Sequence, residues 1–228
     1  MALHLAVRSP WLGSLMILLA GMAFVPQLLF RRRVRRILMS GDINAVLEVW
    51  GRSLDRVPHR ETMEPLLLAT AFAAHGLTDK ARRLLDRAAR GDAWEAAIEH
   101  RLFVEALLDS FEGEREAAMH KADSVERLPL PPAGPFLRDR VMLLRSALGA
   151  FARAFAHAAR PGDVELMTRA ASSSPLVHWA MRYGAAIALI DKGERREARA
   201  LLETAPTWPE ESVFHFFQAE IDRELQVA

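Results

Sequence analysis

The stretch PLLLATAFAAHGLTDKARRLLDRAA, residues 65–89, predicts two helices joined by a short turn. Apolar residues recur at helical spacing on both sides of Gly76, and no alternating strand pattern is present. Glycine suits the turn because it adopts positive φ without the steric cost of a Cβ atom. Ala81 lets the second helix approach the first closely, while Phe72 and Leu85 fill the space between them. The stretch therefore indicates a helical hairpin.

Similar turns recur along the chain, which indicates that the hairpin is repeated. Glycine follows a longer helical pattern and precedes a shorter one at residues 41, 76, 113, 162 and 193, at intervals of 35, 37, 49 and 31 residues. Ala, Leu, Arg and Glu dominate between the turns, and runs of β-branched residues are missing. We therefore expect an all-α fold. Helices are predicted near residues 43–56, 60–75, 78–90, 93–112, 114–127, 136–158, 163–173, 176–191, 194–205 and 209–226.

Two of these units resemble the tetratricopeptide repeat family, whose unit is a helical hairpin of about 34 residues. The second of the repeated hairpins carries the family positions Leu68, Ala69, Phe72, Gly76, Ala81, Leu85 and Ala88. The last unit carries them as Ala185, Ala186, Leu189, Gly193, Ala198, Leu202 and Ala205. The third unit keeps Ala106, Gly113 and Ala118 but has Asp109 where the family usually has an aromatic residue. The resemblance implies a tetratricopeptide-like (TPR-like) α-solenoid over residues 42–206, and a generic helical-repeat solenoid is the alternative.

Two segments fall outside the repeated hairpins. The stretch LPLPPAGP, Leu128 to Pro135, is too rich in proline for a helix and predicts an irregular loop. The stretch PEESVFHFFQAEIDRELQ, residues 209–226, predicts a helix with Phe214, Phe217, Ile221 and Leu225 on one stripe. Because a solenoid has open ends, we expect residues 207–228 to form a C-terminal capping helix that seals the last repeat.

The N-terminal region predicts a membrane anchor. Residues 11–30, WLGSLMILLAGMAFVPQLLF, carry no charge, and about twenty apolar residues span a hydrocarbon core of about 30 Å as a transmembrane helix. Residues 1–10 would then be a short extracytoplasmic N-terminus, and residues 31–41 a basic juxtamembrane segment. The positive-inside rule places this segment in the cytoplasm, where its arginines also contact anionic lipid. These membrane-surface residues are Arg31, Arg32, Arg33, Arg35 and Arg36.

Two other interpretations of the apolar stretch fit the sequence less well. A cleaved signal peptide carries its positive charge before the apolar run, whereas here the arginine block follows it. A buried core helix of a soluble protein would have to accommodate five arginines directly at its end. We therefore expect a single-pass membrane protein with its C-terminal domain in the cytoplasm.

Charge and composition narrow the range of partners. The net charge of +1 conceals an asymmetry, because residues 1–41 carry six arginines and no acid, while the remainder carries 24 basic and 29 acidic residues. A mildly acidic domain is poorly suited to binding nucleic acid, which requires clustered Lys and Arg, so no nucleic-acid partner is expected.

The chain has no cysteine, which excludes disulfides, thiolate zinc sites and cysteine nucleophiles.

The sequence contains no recognisable catalytic motif. HExxH, a Glu-x-x-His pair, a glycine-rich phosphate loop and a GxSxG elbow are all missing. Ser172, Ser173 and Ser174 precede Pro175 and indicate the end of one helix and the start of another. We therefore expect no catalytic, cofactor or metal site, and no enzyme.

The family resemblance implies a concave groove, lined by the first helix of each hairpin, that accepts a peptide or an amphipathic helix. The corresponding positions in this chain are Met63, Leu66, Thr70, His100, Phe103, Leu107, Phe111, Tyr183 and Ile187. The alternative is that many of these residues belong to the core.

The expected function is that of a membrane-anchored adaptor or scaffold that binds a protein partner at the cytoplasmic membrane face. Two alternatives remain open at this stage. One is a structural accessory subunit of a larger membrane enzyme or secretion assembly. The other is a helical enzyme that acts on lipid or cell-wall substrates.

Overall fold

The chain divides into two compact units, residues 1–37 and 38–228. A computed structural model describes residues 29, 30 and 32–226. In the first unit, the described residues 29–30 and 32–37 are helical. The predicted transmembrane segment at 11–30 lies outside the described residues except for Leu29 and Phe30. Within the described part of the chain, no helix combines the length and the apolar character that crossing a membrane requires.

The second unit is all-α over its described residues. From residue 43 onward it contains ten α-helices, a short 3-10 helix at Pro175–Val177 and no strand. The helices are α1 (Ile43–Leu54), α2 (Arg60–Ala74), α3 (Thr78–Ala88), α4 (Ile98–Glu112), α5 (Arg115–Arg127), α6 (Pro135–Phe155), α7 (Asp163–Ser173), α8 (His178–Asp191), α9 (Arg195–Leu202) and α10 (Val213–Gln226). The predicted all-α class is confirmed for these residues.

Successive helices pair as hairpins. The pairs α2–α3, α4–α5, α6–α7 and α8–α9 pack along their lengths, and the first helices contact one another in the order α2, α4, α6, α8. Each of the five predicted turn glycines has positive φ, with values of 78°, 71°, 82°, 90° and 81° at residues 41, 76, 113, 162 and 193. Ala81 and Ala198 are fully buried, as close approach of the paired helices requires.

One long predicted helix begins later than expected. Residues 92–97 form turns, whereas a helix was predicted from residue 93. Gly91 lies so close to Thr62 of α2 that a Cβ atom would overlap the threonine side chain. The amide of Ala93 donates a hydrogen bond to Thr62 Oγ1 at 3.2 Å. This contact with the preceding hairpin therefore replaces the first turn of the predicted helix.

The segment before α10 contacts the first hairpin, at the opposite end of the sequence. Ser212 Oγ donates a hydrogen bond to the carbonyl oxygen of His75 at 2.8 Å, and the Val213 amide donates to the carbonyl oxygen of Gly76 at 2.9 Å. Lys80 of α3 forms an ion pair with Glu211 at 2.6 Å. Residues 209–212 are consequently not helical, although the sequence predicted that α10 begins at residue 209.

The helix α10 is fixed by a cluster of aromatic rings. Phe214 is fully buried and stacks on Tyr183 of α8 with a ring-centroid distance of 4.6 Å and an interplanar angle of 6°. Its ring also meets Phe111 of α4 edge-on at 5.4 Å and lies 4.8 Å from Trp208. The helix therefore contacts α4 as well as the last hairpin, so its packing extends beyond the last repeat that it was expected to seal.

Replacing Phe214 by alanine should strongly destabilise the second unit. Truncating a fully buried phenylalanine typically lowers the free energy of unfolding by about 3–5 kcal/mol. Here it also leaves the Tyr183 ring without its stacking partner. The matched control is Phe216→Ala on the same helix, because Phe216 is 63% exposed and its truncation should change stability by less than about 0.5 kcal/mol. Guanidinium unfolding of the full chain in mild detergent measures both values. Equal stabilities of the two variants would contradict this packing.

Candidate functional site

A mainly apolar recess lies between the first helices of three hairpins. It is a solvent-open cavity of about 410 Å³ at the N-terminal halves of α4 and α6, bounded by α2 and by the segment that leads into α8. Its volume falls in the range of about 300–1,000 Å³ that is usual for ligand pockets. The lining residues are Thr70, Glu99, His100, Phe103, Val141, Leu144, Arg145, Ser174, Leu176 and Val177.

Two polar side chains of the wall, Thr70 and His100, are hydrogen-bonded to each other. The Thr70 hydroxyl donates to the carbonyl oxygen of Leu66 at 2.8 Å, and Thr70 Oγ1 lies 2.6 Å from His100 Nε2. Because the hydroxyl hydrogen is already used, Nε2 of the imidazole must donate, which leaves Nδ1 as an acceptor. Burial lowers the pKa of His100, while the neighbouring Glu99 carboxylate opposes this shift. The imidazole is therefore neutral at neutral pH.

A buried arginine forms another part of the wall. Arg145 of α6 is only 4% exposed, and its Nε donates to Glu99 Oε1 at 2.8 Å. Its two terminal nitrogens donate to the carbonyl oxygens of Leu128 at 2.5 Å and of Pro129 at 3.1 Å. The guanidinium thereby pairs with one carboxylate and anchors the proline-rich loop, which is irregular as predicted. Sequence reasoning missed this residue, although an arginine among the apolar residues of a helix is a signal for a buried pair.

Ser174 is the one polar residue of the wall whose side chain lacks a hydrogen-bond partner. It is 9% exposed, and its Oγ makes no hydrogen bond. The hydroxyls of Ser172 and Ser173 instead bond back to carbonyl oxygens of their own helix, Thr168 and Ala170. Ser174 follows the last residue of α7 with φ −125° and ψ 87°, so the backbone has left the helical conformation there.

A second recess adjoins this cavity. It has a volume of about 310 Å³, includes Met63 and Ala97, and shares Glu99 and His100 with the cavity. We call the combined surface of the two recesses the groove. It brings together four of the positions predicted from the sequence, which are Met63, Thr70, His100 and Phe103.

The other predicted groove positions lie elsewhere. Leu66, Leu107 and Tyr183 are fully buried, and Phe111 is nearly so, because neighbouring hairpins and α10 cover them. These four residues belong to the core, which was the alternative interpretation. Ile187 lines a separate recess of about 370 Å³ between α8 and α10, together with Phe155 and Phe217.

Four of the five predicted membrane-surface arginines lie in the described part of the chain. Arg32, Arg33, Arg35 and Arg36 are exposed on the helical stretch 32–38. Arg31 lies outside the described residues.

Exposed apolar residues continue the groove along α6. Leu137, Val141 and Leu144 follow the i, i+4, i+7 spacing that places residues on one helix face. Val141 and Leu144 line the cavity, whereas Leu137 is 52% exposed and Phe136 beside it is 76% exposed. The first turns of α6 therefore present apolar surface that the described chain does not cover.

Replacing Arg145 by methionine should loosen the proline-rich loop. Three hydrogen bonds from the guanidinium would be lost, and we expect a destabilisation of about 2 kcal/mol together with faster proteolysis within residues 128–134. The matched control is Arg138→Met on the same helix, because Arg138 is exposed. Limited proteolysis and guanidinium unfolding of the full chain measure the two effects. Equal cleavage rates in the two variants would show that Arg145 does not hold the loop.

Comparison with known proteins leaves the function to be argued from this geometry. The chain matches no protein-family model, no curated protein and no solved structure.

Proposed function

We propose that the protein is a membrane-anchored, TPR-like adaptor that binds a protein partner through the groove. The observation that carries this proposal is the apolar lining of the groove, which includes Met63, Phe103, Val141 and Leu144 and is followed along α6 by the exposed Leu137. Large contiguous apolar surfaces are uncommon on isolated proteins and mark interaction sites. An amphipathic helix or a hydrophobic peptide is the partner segment that suits such a surface.

The arrangement of the hairpins supports the TPR-like part of the proposal. The first helices pack side by side and carry the groove, while the second helices pack behind them. Small residues stand where paired helices approach, as in the fully buried Ala69 of α2 and Ala81 of α3. A groove made from several first helices can recognise an extended segment, because each hairpin contributes one or two contacts.

The anchor rests on the sequence of residues 11–30 and on the residues that follow. Leu29 and Phe30, the last two residues of the apolar stretch, are 59% and 65% exposed. The exposed arginines at 32, 33, 35 and 36 follow at once. Exposed apolar side chains that are followed directly by arginines suit the boundary between hydrocarbon and lipid head groups. In this proposal the groove faces the cytoplasm.

An accessory subunit of a larger membrane assembly is the second candidate. The exposure of Phe136 and Leu137 at the start of α6 favours it, because a permanent interface would cover these side chains. The two candidates differ in the number of partners and in how long each partner stays bound. A stable assembly yields stoichiometric integral subunits on purification in mild detergent, whereas an adaptor yields one exchangeable soluble or peripheral partner.

Charging the groove should weaken partner binding markedly without unfolding the protein. The variants are Phe103→Glu and Leu137→Glu, and the matched control is Phe216→Glu, which charges an exposed phenylalanine on α10. Loss of one central apolar contact typically costs about 2 kcal/mol, or roughly thirtyfold in Kd. Co-purification of the full-length protein from membranes, quantified by mass spectrometry, measures the loss, and circular dichroism verifies the fold.

Two outcomes would contradict this proposal. The first is an unchanged set of partners in both groove variants. The second is an equal loss of partners in the Phe216→Glu control, which would move the interface away from the groove. For the anchor, extraction of the intact protein by carbonate from the membrane fraction would be the contradicting result.

A further inference from the structure

The first turn of α6 exposes two large apolar side chains outside the recesses described above. Phe136 is 76% exposed and Leu137 is 52% exposed. Neither residue lines the cavity, the adjoining recess or the recess beside α10. This surface therefore offers no recess to receive a partner's side chain, whereas insertion into a lipid surface needs exposed apolar side chains and no recess.

The residues around this turn combine apolar and basic character. The segment LPLPPAGPFL, residues 128–137, contains no charged residue, and exposed arginines stand directly before and after it at Arg127 and Arg138. Arg140 follows, and Asp139 is the one acid from residue 127 to residue 140. An apolar segment that is bordered by arginines suits the boundary between acyl chains and anionic head groups.

Arg140 connects the start of α6 to the end of α7. Its guanidinium lies 5.9 Å from the centroid of the Phe136 ring, and its Nη2 donates to the carbonyl oxygen of Ser173 at 2.8 Å. The cavity joins the same segments, because it is lined both by Val141 of α6 and by Val177 immediately before α8. The N-terminal turns of α6 and α8 therefore lie at the same end of the second unit.

The chain enters the second unit at this same end. Trp179, in the first turn of α8, donates its indole N–H to the carbonyl oxygen of Met39 at 2.8 Å. Met39 comes three residues after Arg36, and three residues span at most about 11 Å. In the proposed function the arginine block contacts lipid head groups, which brings the lipid surface close to this end of the unit. Phe136 and Leu137 are exposed at that end.

A further arginine at this end has no carboxylate partner among the described residues. Arg182, one turn after Trp179, lies with its guanidinium 5.2 Å from the centroid of the indole ring. It donates to His178 Nε2 and to Thr204 Oγ1, both at 3.3 Å, and both acceptors are uncharged side chains when the imidazole is neutral. Its positive charge therefore adds to the attraction of this end for anionic lipid.

We propose that the start of α6 inserts into the anionic lipid surface, with Phe136 and Leu137 among the acyl chains and Arg138 at the head groups. This inference rests on the proposed membrane anchor and adds the face of the second unit that lies on the bilayer. It also places one end of the groove beside the lipid surface, since Val141 lines the groove one turn after Leu137.

The absence of cysteine from the chain permits a direct test by site-specific labelling. Phe136→Cys carries a nitrobenzoxadiazole fluorophore in the full chain, and Phe216→Cys is the matched control because Phe216 is an equally accessible phenylalanine on α10, 63% exposed. Both proteins are reconstituted into vesicles of phosphatidylcholine and phosphatidylglycerol with plain or brominated acyl chains, and are then floated on a density gradient. Circular dichroism verifies the fold.

We expect the label at residue 136 to lose most of its emission in brominated vesicles, because bromine quenches a fluorophore that lies among the acyl chains. The label at residue 216 should keep its emission. Adding Arg138→Gln to the Phe136→Cys protein should lower the ratio of quenched to unquenched label about fivefold, the contribution of one arginine near an anionic surface. The control Arg115→Gln, which removes an exposed arginine at the start of α5, should leave this ratio unchanged.

Three results would overturn the inference. One is emission at residue 136 that is as insensitive to bromine as emission at residue 216, although both proteins float with the vesicles. Another is a blue-shifted label at residue 136 that bromine does not quench, which would show that protein covers this surface. The third is an equal effect of the two glutamine substitutions. All three leave the anchor standing, whereas failure of both proteins to float would remove the anchor and this inference together.

Discussion

The stacking of Phe214 on Tyr183 is the contact on which the second unit depends most. It joins the last helix of the chain to α8, and the same phenylalanine ring meets Phe111 at the end of α4. Phe111 in turn contacts Phe151 and Phe155 at the end of α6. One aromatic cluster therefore joins the C-terminal ends of α4 and α6 to the middle of α8. Aromatic pairs of this kind contribute about 0.5–1.5 kcal/mol each beyond the area that they bury.

The same cluster explains where the groove lies. On α4, Phe111 is packed in the cluster, whereas Phe103, two turns earlier, lines the open cavity. On α6, Phe151 is packed in the cluster, whereas Val141 lines the cavity. The helices are thus held together at one end and present their apolar side chains to solvent at the other. An open apolar recess at the N-terminal halves of α4 and α6 follows from this asymmetry.

The local features of the fold could be predicted from the sequence because they have local causes. Turn glycines, helical spacing and alanines at close approaches each depend on a few neighbouring residues, and the hairpins follow from them. The turn at residues 92–97 could not be predicted, because Thr62 of the preceding hairpin fixes it. The non-helical start of residues 209–212 likewise depends on His75, which is 137 positions away from Ser212.

The candidate site was predictable only in part for the same reason. Four of the family positions, Met63, Thr70, His100 and Phe103, line the groove, whereas Tyr183 is buried because α10 and Trp208 cover it. Trp208 Nε1 donates to the Tyr183 hydroxyl at 2.8 Å, and that hydroxyl donates to Gln218 at 2.7 Å. Arg145 and Ser174 were missed because their significance lies in what they bond to, or fail to bond to, across the fold. The sequence around Ser174 carries no such information, whereas the apolar neighbours of Arg145 on its helix were a signal that it is buried and paired.

The measurement that tests the central claim most directly is residue-resolved hydrogen exchange of the full chain. The central claim is that the C-terminal segment is a structural part of the first hairpin, because the Val213 amide donates to Gly76. Exchange would then occur in one cooperative opening, and the amides of Val213, Gly76 and Leu77 should share one slow rate. Fast exchange at Val213 with continued protection of Gly76 and Leu77 would contradict the account.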